Sequence, residues 1–368
     1  MQNYLIVVTL HIPNKIEHRN SNTTMIGNDI DKNSVRSLAQ LIEKCNTVVI
    51  TCHVKPDGDA VGSTLALMHI LSTLGKAVHI VTPDSPPRSL RFLPGCKEVV
   101  AVSSQEDFCR SLLEKAELIF CLDFNALNRI DRLAPFIARA KAKKVLIDHH
   151  LDPEAFADIT ISRPSESSTC TLLFKVICAL GLRPIIDKKT AMCLMTGIMT
   201  DTGNLSYNAN DPDLYTIVSD LLRLGVNKVR LWERLNIKTQ SQLRLNAFAI
   251  DSRMELLMNG RAALITLNAD DLARYDYVKG DTEGLVNVPL TIPEVAVSVF
   301  MHQEPGFIKV SMRSKGEFPV NKICSSHFGG GGHLNAAGGE FRGHMREAVD
   351  TLRKVLPDYA QYLPIVEK

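Results

Sequence analysis

The chain has 368 residues, 45% hydrophobic and 22% charged, which suits a globular protein with room for two domains. Its 42 lysines and arginines against 40 aspartates and glutamates leave a net charge of +2, which excludes the global basic field that long duplex nucleic acid attracts. The nine cysteines form no Cys-x-x-Cys pair and most sit among apolar neighbours, so they read as buried thiols of a reducing compartment.

Residues 1–32 read as an N-terminal extension, disordered or lying upstream of a true start at Met25, with an ordered arm as the alternative. The apolar stretch 4–12 is too short to span a bilayer and lacks the marks of a signal peptide, so a cytoplasmic protein without membrane association is expected. A helix is predicted from residue 33, then a strand over 47–51 and a helix over 59–74 closed by Gly75. Strands over 77–81, 118–122 and 145–147 follow. These β-branched, near-continuous apolar runs between helices indicate parallel strands covered on both faces. Helices are predicted over 167–180, 188–199 and 214–224, then a long helix-prone connector over 229–256. Alternating strands over 262–267, 295–301 and 307–312 follow, with helices near Asp270, Pro319 and Met345. The expected organisation is α/β: a parallel-sheet catalytic domain over 33–225, a connector over 226–245 and a smaller α/β domain over 246–368, with the active site in the cleft between domains.

Chemistry concentrates at the strand ends, where parallel sheets bind ligands. His53, Asp57 and Asp59 occupy a turn shaped by Pro56 and Gly58, where the carboxylates could equally be turn and cap residues. Asp148-His149-His150 follows Val145-Leu146-Ile147, and three ionisable groups at a buried strand end are costly unless paired or metal-bound. Asp123 ends the 118–122 run, and Asp201 closes the 188–199 helix. Several carboxylates with imidazoles and no cysteine suit hard divalent cations, and paired cations suit attack of water on phosphorus. Farther on, Gly329-Gly330-Gly331-Gly332-His333 reads as an anion nest, with Arg313 and His333 as phosphate ligands; a solvated strand charge is the bland alternative for Arg313.

The four amino-terminal segments resemble the DHH phosphoesterase superfamily, and Gly331-Gly332-His333 with Ala336-Ala337-Gly338 resembles its DHHA1 domain. The motif His53-x-x-Pro56-Asp57-Gly58-Asp59-Ala60-x-Gly62-Ser63 is most similar to the branch of oligoribonuclease (nanoRNase) and 3′-phosphoadenosine-5′-phosphate (pAp) phosphatases. The resemblance implies one Mn²⁺ held by His53, Asp57 and Asp123 and a second held by Asp59, Asp123, His149 and Asp201, with Mg²⁺ or Co²⁺ as alternatives. It implies that His150 faces the scissile phosphate, that Asp148 orients a neighbour, and that Gly331, Gly332, Arg313 and His333 grip substrate. The expected substrates are short single-stranded RNA and pAp, not long duplexes. The rivals are a cyclic dinucleotide phosphodiesterase with the same site and a non-catalytic nucleotide-binding module. The oligomeric state stays open, a homodimer among the readings. The segment 201–207 departs from the family in lacking a basic or aromatic residue near Asn204 or Ser206, which touches substrate grip and not the metal ligands.

Overall fold

The computed structural model of the chain describes residues 26–364; the expectations for 1–25 lie outside the described residues. Two compact units divide between Ile237 and Lys238.

In the first unit α1 (Lys32–Lys44) leads to β1 (Thr47–Thr51), α2 (Gly58–Thr73), β2 (Ala77–Thr82), β3 (Val100–Ala101), α3 (Val102–Lys115) and β4 (Leu118–Leu122). It continues with α4 (Ala134–Arg139), β5 (Lys143–Asp148), β6 (Ile159–Ser162), α5 (Thr169–Ala179), α6 (Lys188–Asp201), α7 (Pro212–Arg223) and α8 (Lys228–Leu235). All strands pair in parallel, in the order β3-β2-β1-β4-β5-β6. Alternate residues of β1 serve opposite faces: Val48 and Ile50 join the core covered by α1, α2, α5 and α6, and Val49 joins the one covered by α3 and α4. This is why these strands read as unbroken apolar runs. Residues 26–31 pack onto this unit, with Ile30 buried and the Asp31 carboxylate accepting the Ser34 amide at 2.7 Å to cap α1.

The strand order reverses between β1 and β4, the switch point where open α/β sheets bind ligands. α2 and α6 cross very closely there: a Cβ on Gly62 would stand 2.5 Å from the Cys193 carbonyl oxygen. Glycine at that position lets the two helices bring their charged ends together.

The second unit contains α9 (Gln240–Arg253), β7 (Met254–Leu257), β8 (Ala262–Leu267), α10 (Ala269–Arg274), β9 (Val297–Glu304), β10 (Phe307–Ser314), α11 (Val320–His327), β11 (Gly331–His333), β12 (Ala336–Phe341) and α12 (Met345–Val355). Its sheet runs β11-β12-β10-β9-β8-β7, antiparallel except for β8 with β9. The long helix expected over 229–256 is two helices and a strand. α8 buries Leu231 in the first unit's core, Thr239 caps α9 by accepting the Gln242 amide at 3.0 Å, and Met254–Leu257 turns extended to pair with β8. Gly260, at φ +84°, makes the turn that allows this pairing.

Candidate active site

The parallel register builds the centre. Thr51 pairs with Cys121, and Leu122 pairs with Ile147, so the residues just beyond β1, β4 and β5 emerge at one edge of the sheet. His53, Asp123 and His149 stand there. Asp123 takes φ +62°, a left-handed conformation that aspartate tolerates better than most side chains and that ends β4 abruptly. Its Oδ2 lies 3.4 Å from His53 Nε2, and its Oδ1 lies 3.7 Å from His149 Nε2.

The turn at the start of α2 adds Asp57 and Asp59. One oxygen of Asp57 accepts the Asp59 and Ala60 amides at 3.0 and 3.1 Å and so caps the helix. Its other oxygen faces His53 Nε2 at 3.8 Å, so capping the helix leaves one carboxylate oxygen of Asp57 turned toward the imidazole. Asp59 is fully buried, 4.0 Å from His149 Nε2, and Asp201 at the end of α6 lies 3.2 Å from the same nitrogen. Two triads of donor atoms result, His53–Asp57–Asp123 and Asp59–His149–Asp201, and a third joins Asp123, His149 and His150.

Each imidazole is oriented from behind. His53 Nδ1 sits 2.7 Å from the Val54 carbonyl, and His149 Nδ1 sits 3.2 Å from the Glu166 carbonyl. Donation from Nδ1 to a carbonyl fixes each ring with Nε2 toward the carboxylates, an arrangement that suits a metal ligand once Nε2 gives up its proton. His150 is held by a carboxylate instead of a carbonyl, with its Nδ1 2.7 Å from Asp148 Oδ1.

Three further contacts come from the start of α5. The amides of Thr169 and Cys170 donate to the two oxygens of Asp59 at 2.6 and 2.9 Å, and the Thr169 hydroxyl donates to Asp123 Oδ1 at 2.9 Å. Sequence reasoning missed these residues. The run Ser168-Thr169-Cys170 signals only a helix start, and two of the three contacts are made by backbone that carries no residue-type signature.

So many carboxylates in a buried place demand compensating positive charge. Burial alone would lower the His53 and His149 imidazoles, but the carboxylates outweigh it: Asp123 and Asp57 push His53 up to about 11, and Asp201, Asp59 and Asp123 push His149 up to about 10. Burial also raises Asp201 to about 6 and drives Asp59 well above the carboxylate range. Asp123 is held at about 2, because His53, His149 and His150 overcome its burial. The carboxylates thus make this a place that favours positive charge, and the mixed imidazole–carboxylate donor set fits a divalent cation.

In the second unit, Arg313 on β10 pairs with Ser298 on one side and Ala336 on the other, and Ala336 pairs with His333. Arg313 and His333 therefore hold positions in one cross-strand row; the His333 side chain lies outside the described residues. Arg313 is half-buried, its Nη1 donates to the Met312 carbonyl at 2.9 Å, and it has no carboxylate partner among the described residues. Burial lowers its pKa. Of the glycine run, Gly331 and Gly332 belong to β11, and Gly329 and Gly330 lead into it. A Cβ on Gly330 would stand 1.9 Å from the Gly338 carbonyl oxygen, so close backbone approach accounts for that glycine, whereas Gly331 faces open space.

Residues 47–198 match the DHH family, N-terminal domain, and residues 265–361 match the DHHA1 domain. A Thermus thermophilus protein described as bifunctional oligoribonuclease and PAP phosphatase NrnA is 30% identical over 296 residues, 80% of this chain and 84% of that one. A Bacillus subtilis protein of the same description is 27% identical over 304 residues, 82% of this chain and 91% of that one. Among solved structures, an exopolyphosphatase-related protein from Bacteroides fragilis superposes at a TM-score of 0.89 with 41% identity, covering 91% of this chain and 99% of that chain. RecJ of Thermus thermophilus, solved in complex with Mn²⁺, shares the fold at a TM-score of 0.55 and 14% identity, covering 94% of this chain and 57% of that chain.

Proposed function

The chain belongs to the DHH family with a carboxyl-terminal DHHA1 domain, and from that membership we propose a phosphoesterase that hydrolyses short oligoribonucleotides to mononucleotides and pAp to AMP. The observation that carries this reading is the pair of donor triads around Asp123 at the switch point of the parallel sheet. The donors fit two divalent ions, one held by His53, Asp57 and Asp123 and one by Asp59, Asp123, His149 and Asp201, with Asp123 shared. We assign Mn²⁺, since imidazoles make the set softer than an all-oxygen Mg²⁺ site; Mg²⁺ or Co²⁺ would fit the same donors less well or equally. Paired cations, when bound, make water nucleophilic near neutral pH and neutralise charge on phosphoryl oxygens.

The chain's own residues do the rest. Asp148 holds His150 by Nδ1, and we assign His150 to a phosphoryl oxygen of the substrate, where an oriented imidazole donates as charge develops. Water adds to phosphorus and gives up a proton, the bond from phosphorus to the ribose oxygen breaks, and that oxygen takes up a proton and leaves as the alcohol. Arg313, His333 and the backbone of Gly331 and Gly332 are assigned to a phosphate that is not attacked; the half-buried, carboxylate-free guanidinium of Arg313 supports this.

A cyclic dinucleotide phosphodiesterase would use the same centre, but the relatives' descriptions favour short RNA and pAp. A non-catalytic module has no use for so complete a donor set. Nine free cysteines support a reducing compartment, which we take to be the cytoplasm; no described helix is long and apolar enough to cross a membrane. Parallel hydrolysis assays with Mn²⁺ on pAp, a short RNA, cyclic di-AMP and pyrophosphate test the assignment. Turnover of the first two above the others is expected, and preferential cleavage of cyclic di-AMP or pyrophosphate would replace it.

A further inference from the structure

Lys175 on α5 is 3% exposed, yet it is a lysine. Its Nζ lies 2.8 Å from Oε1 of Glu166, which is buried as well. It also lies 3.5 Å from Asp213, 3.7 Å from Asp211 and 4.0 Å from Asp29. Burying such a pair costs more in desolvation than a well-packed apolar pair, so stability does not explain it.

What Lys175 joins is informative. Glu166 belongs to the loop between β6 and α5, and its carbonyl oxygen is the partner of His149 Nδ1. The Asn208 amide reaches the same carbonyl at 3.5 Å. Three residues on, α5 begins with the amides that hold Asp59. Asp211 caps α7 and ends the loop that starts at Asp201, a loop in which Asn204, Leu205 and Asn208 all take positive φ. Lys175 thus ties the segment behind His149 to the segment behind Asp201. His53 and Asp57 make no contact with this network among the described residues: His53 is held by its neighbour Val54, and Asp57 by the start of its own helix.

We infer that Lys175 is a positioning residue for one half of the centre: through Glu166 and Asp211 it fixes the Asp59–His149–Asp201 triad, while His53 and Asp57, the two residues that only the other triad uses, are held independently of it. The inference rests on the two-ion reading given above.

The test is titration of the metal-free full chain with Mn²⁺, followed by calorimetry and by the electron paramagnetic resonance of free Mn²⁺. Two uptake events are expected for the wild type; one event or none overturns the two-ion reading itself. Asp57→Asn and Asp201→Asn mark which event belongs to which triad. The double variant Lys175→Met with Glu166→Gln removes both buried charges, and the carboxylates of Asp29, Asp211 and Asp213 that also face Lys175 keep contact with water. It should weaken the event marked by Asp201→Asn roughly tenfold or more, as loss of a group supporting a ligand does. The other event should stay within about twofold, with the melting temperature of the metal-free protein little changed. Equal weakening of both events, or of neither, overturns the inference. If the double variant does not fold, Lys175→Arg decides: it keeps the charge and alters its placement, so the same event should weaken, less severely, and unchanged uptake overturns the inference.

Discussion

Asp123 stands between two imidazoles, with Oδ2 3.4 Å from His53 Nε2 and Oδ1 turned to the other side of the centre. The register that pairs Thr51 with Cys121 produces this relationship, because each strand runs two residues further before its functional side chain.

A carboxylate shared between two ions has no substitute in water. Asp123→Ala should therefore reduce kcat/KM by roughly a thousandfold or more, about 4 kcal/mol of transition-state stabilisation. Steady-state kinetics on pAp measure this, and activity within a factor of a few of wild type would show that Asp123 is not shared.

Ion uptake should release protons. With His53 raised to about 11 and His149 to about 10, both imidazoles are protonated in the ion-free protein at neutral pH and must lose a proton to become ligands. Apparent Mn²⁺ affinity should therefore rise with pH. Calorimetry in buffers of different ionisation enthalpy counts the protons; no release would contradict the ligand assignment.

The same shifts set the stability of the ion-free protein. Groups with raised folded pKa bind protons more tightly folded than unfolded, so the stability they contribute is complete below the ordinary imidazole value of about 6.5 and is lost as pH rises through about 10 to 11. Melting curves with EDTA should fall across that alkaline window, and those with Mn²⁺ should fall less. Identical curves would argue that neither histidine meets the ion.

Gly197 on α6 is a steric guard of Asp59. A Cβ there would stand 2.5 Å from Asp59 Oδ1 and 2.3 Å from Cys170 Sγ. Alanine is the better helix former by about 1 kcal/mol, yet Gly197→Ala should destabilise by roughly 1–3 kcal/mol and weaken ion uptake, because overpacking dominates. Urea denaturation and Mn²⁺ titration check both effects, and a stabilised variant with unaltered uptake would refute the contact.

Arg313→Ala should separate grip from chemistry. KM for pAp should rise roughly tenfold or more, while turnover of a small activated phosphodiester should change little. Equal losses on both substrates would place Arg313 at the reacting centre.

Much of this was legible in the chain. Asp148-His149-His150 after an apolar run, and His53 with Asp57 and Asp59 on a turn, declare themselves because ionisable side chains at buried strand ends have few other reasons to be there. Thr169, Cys170 and Glu166 were not legible, since they act through backbone groups more than a hundred positions from Asp59 or through a carbonyl behind His149. The strand β11 was hidden for another reason: glycine dominates it, and it is extended because backbones must pass closely, not because its side chains favour it. β7 was hidden because Met254-Glu255-Leu256-Leu257 continues a helical pattern and becomes a strand only by pairing with β8.

The most direct test of the central claim is a ladder of single-stranded RNAs from dinucleotide to twenty-mer, with initial rates measured in Mn²⁺ beside EDTA-treated controls. A net charge of +2 and a few phosphate-binding groups offer no gain from a long strand. kcat/KM should peak at roughly two to five nucleotides and fall beyond that, with duplexes nearly inert and all turnover lost in EDTA. A rate that climbs steadily with length, or turnover that survives chelation, would contradict a two-ion phosphoesterase of short RNA.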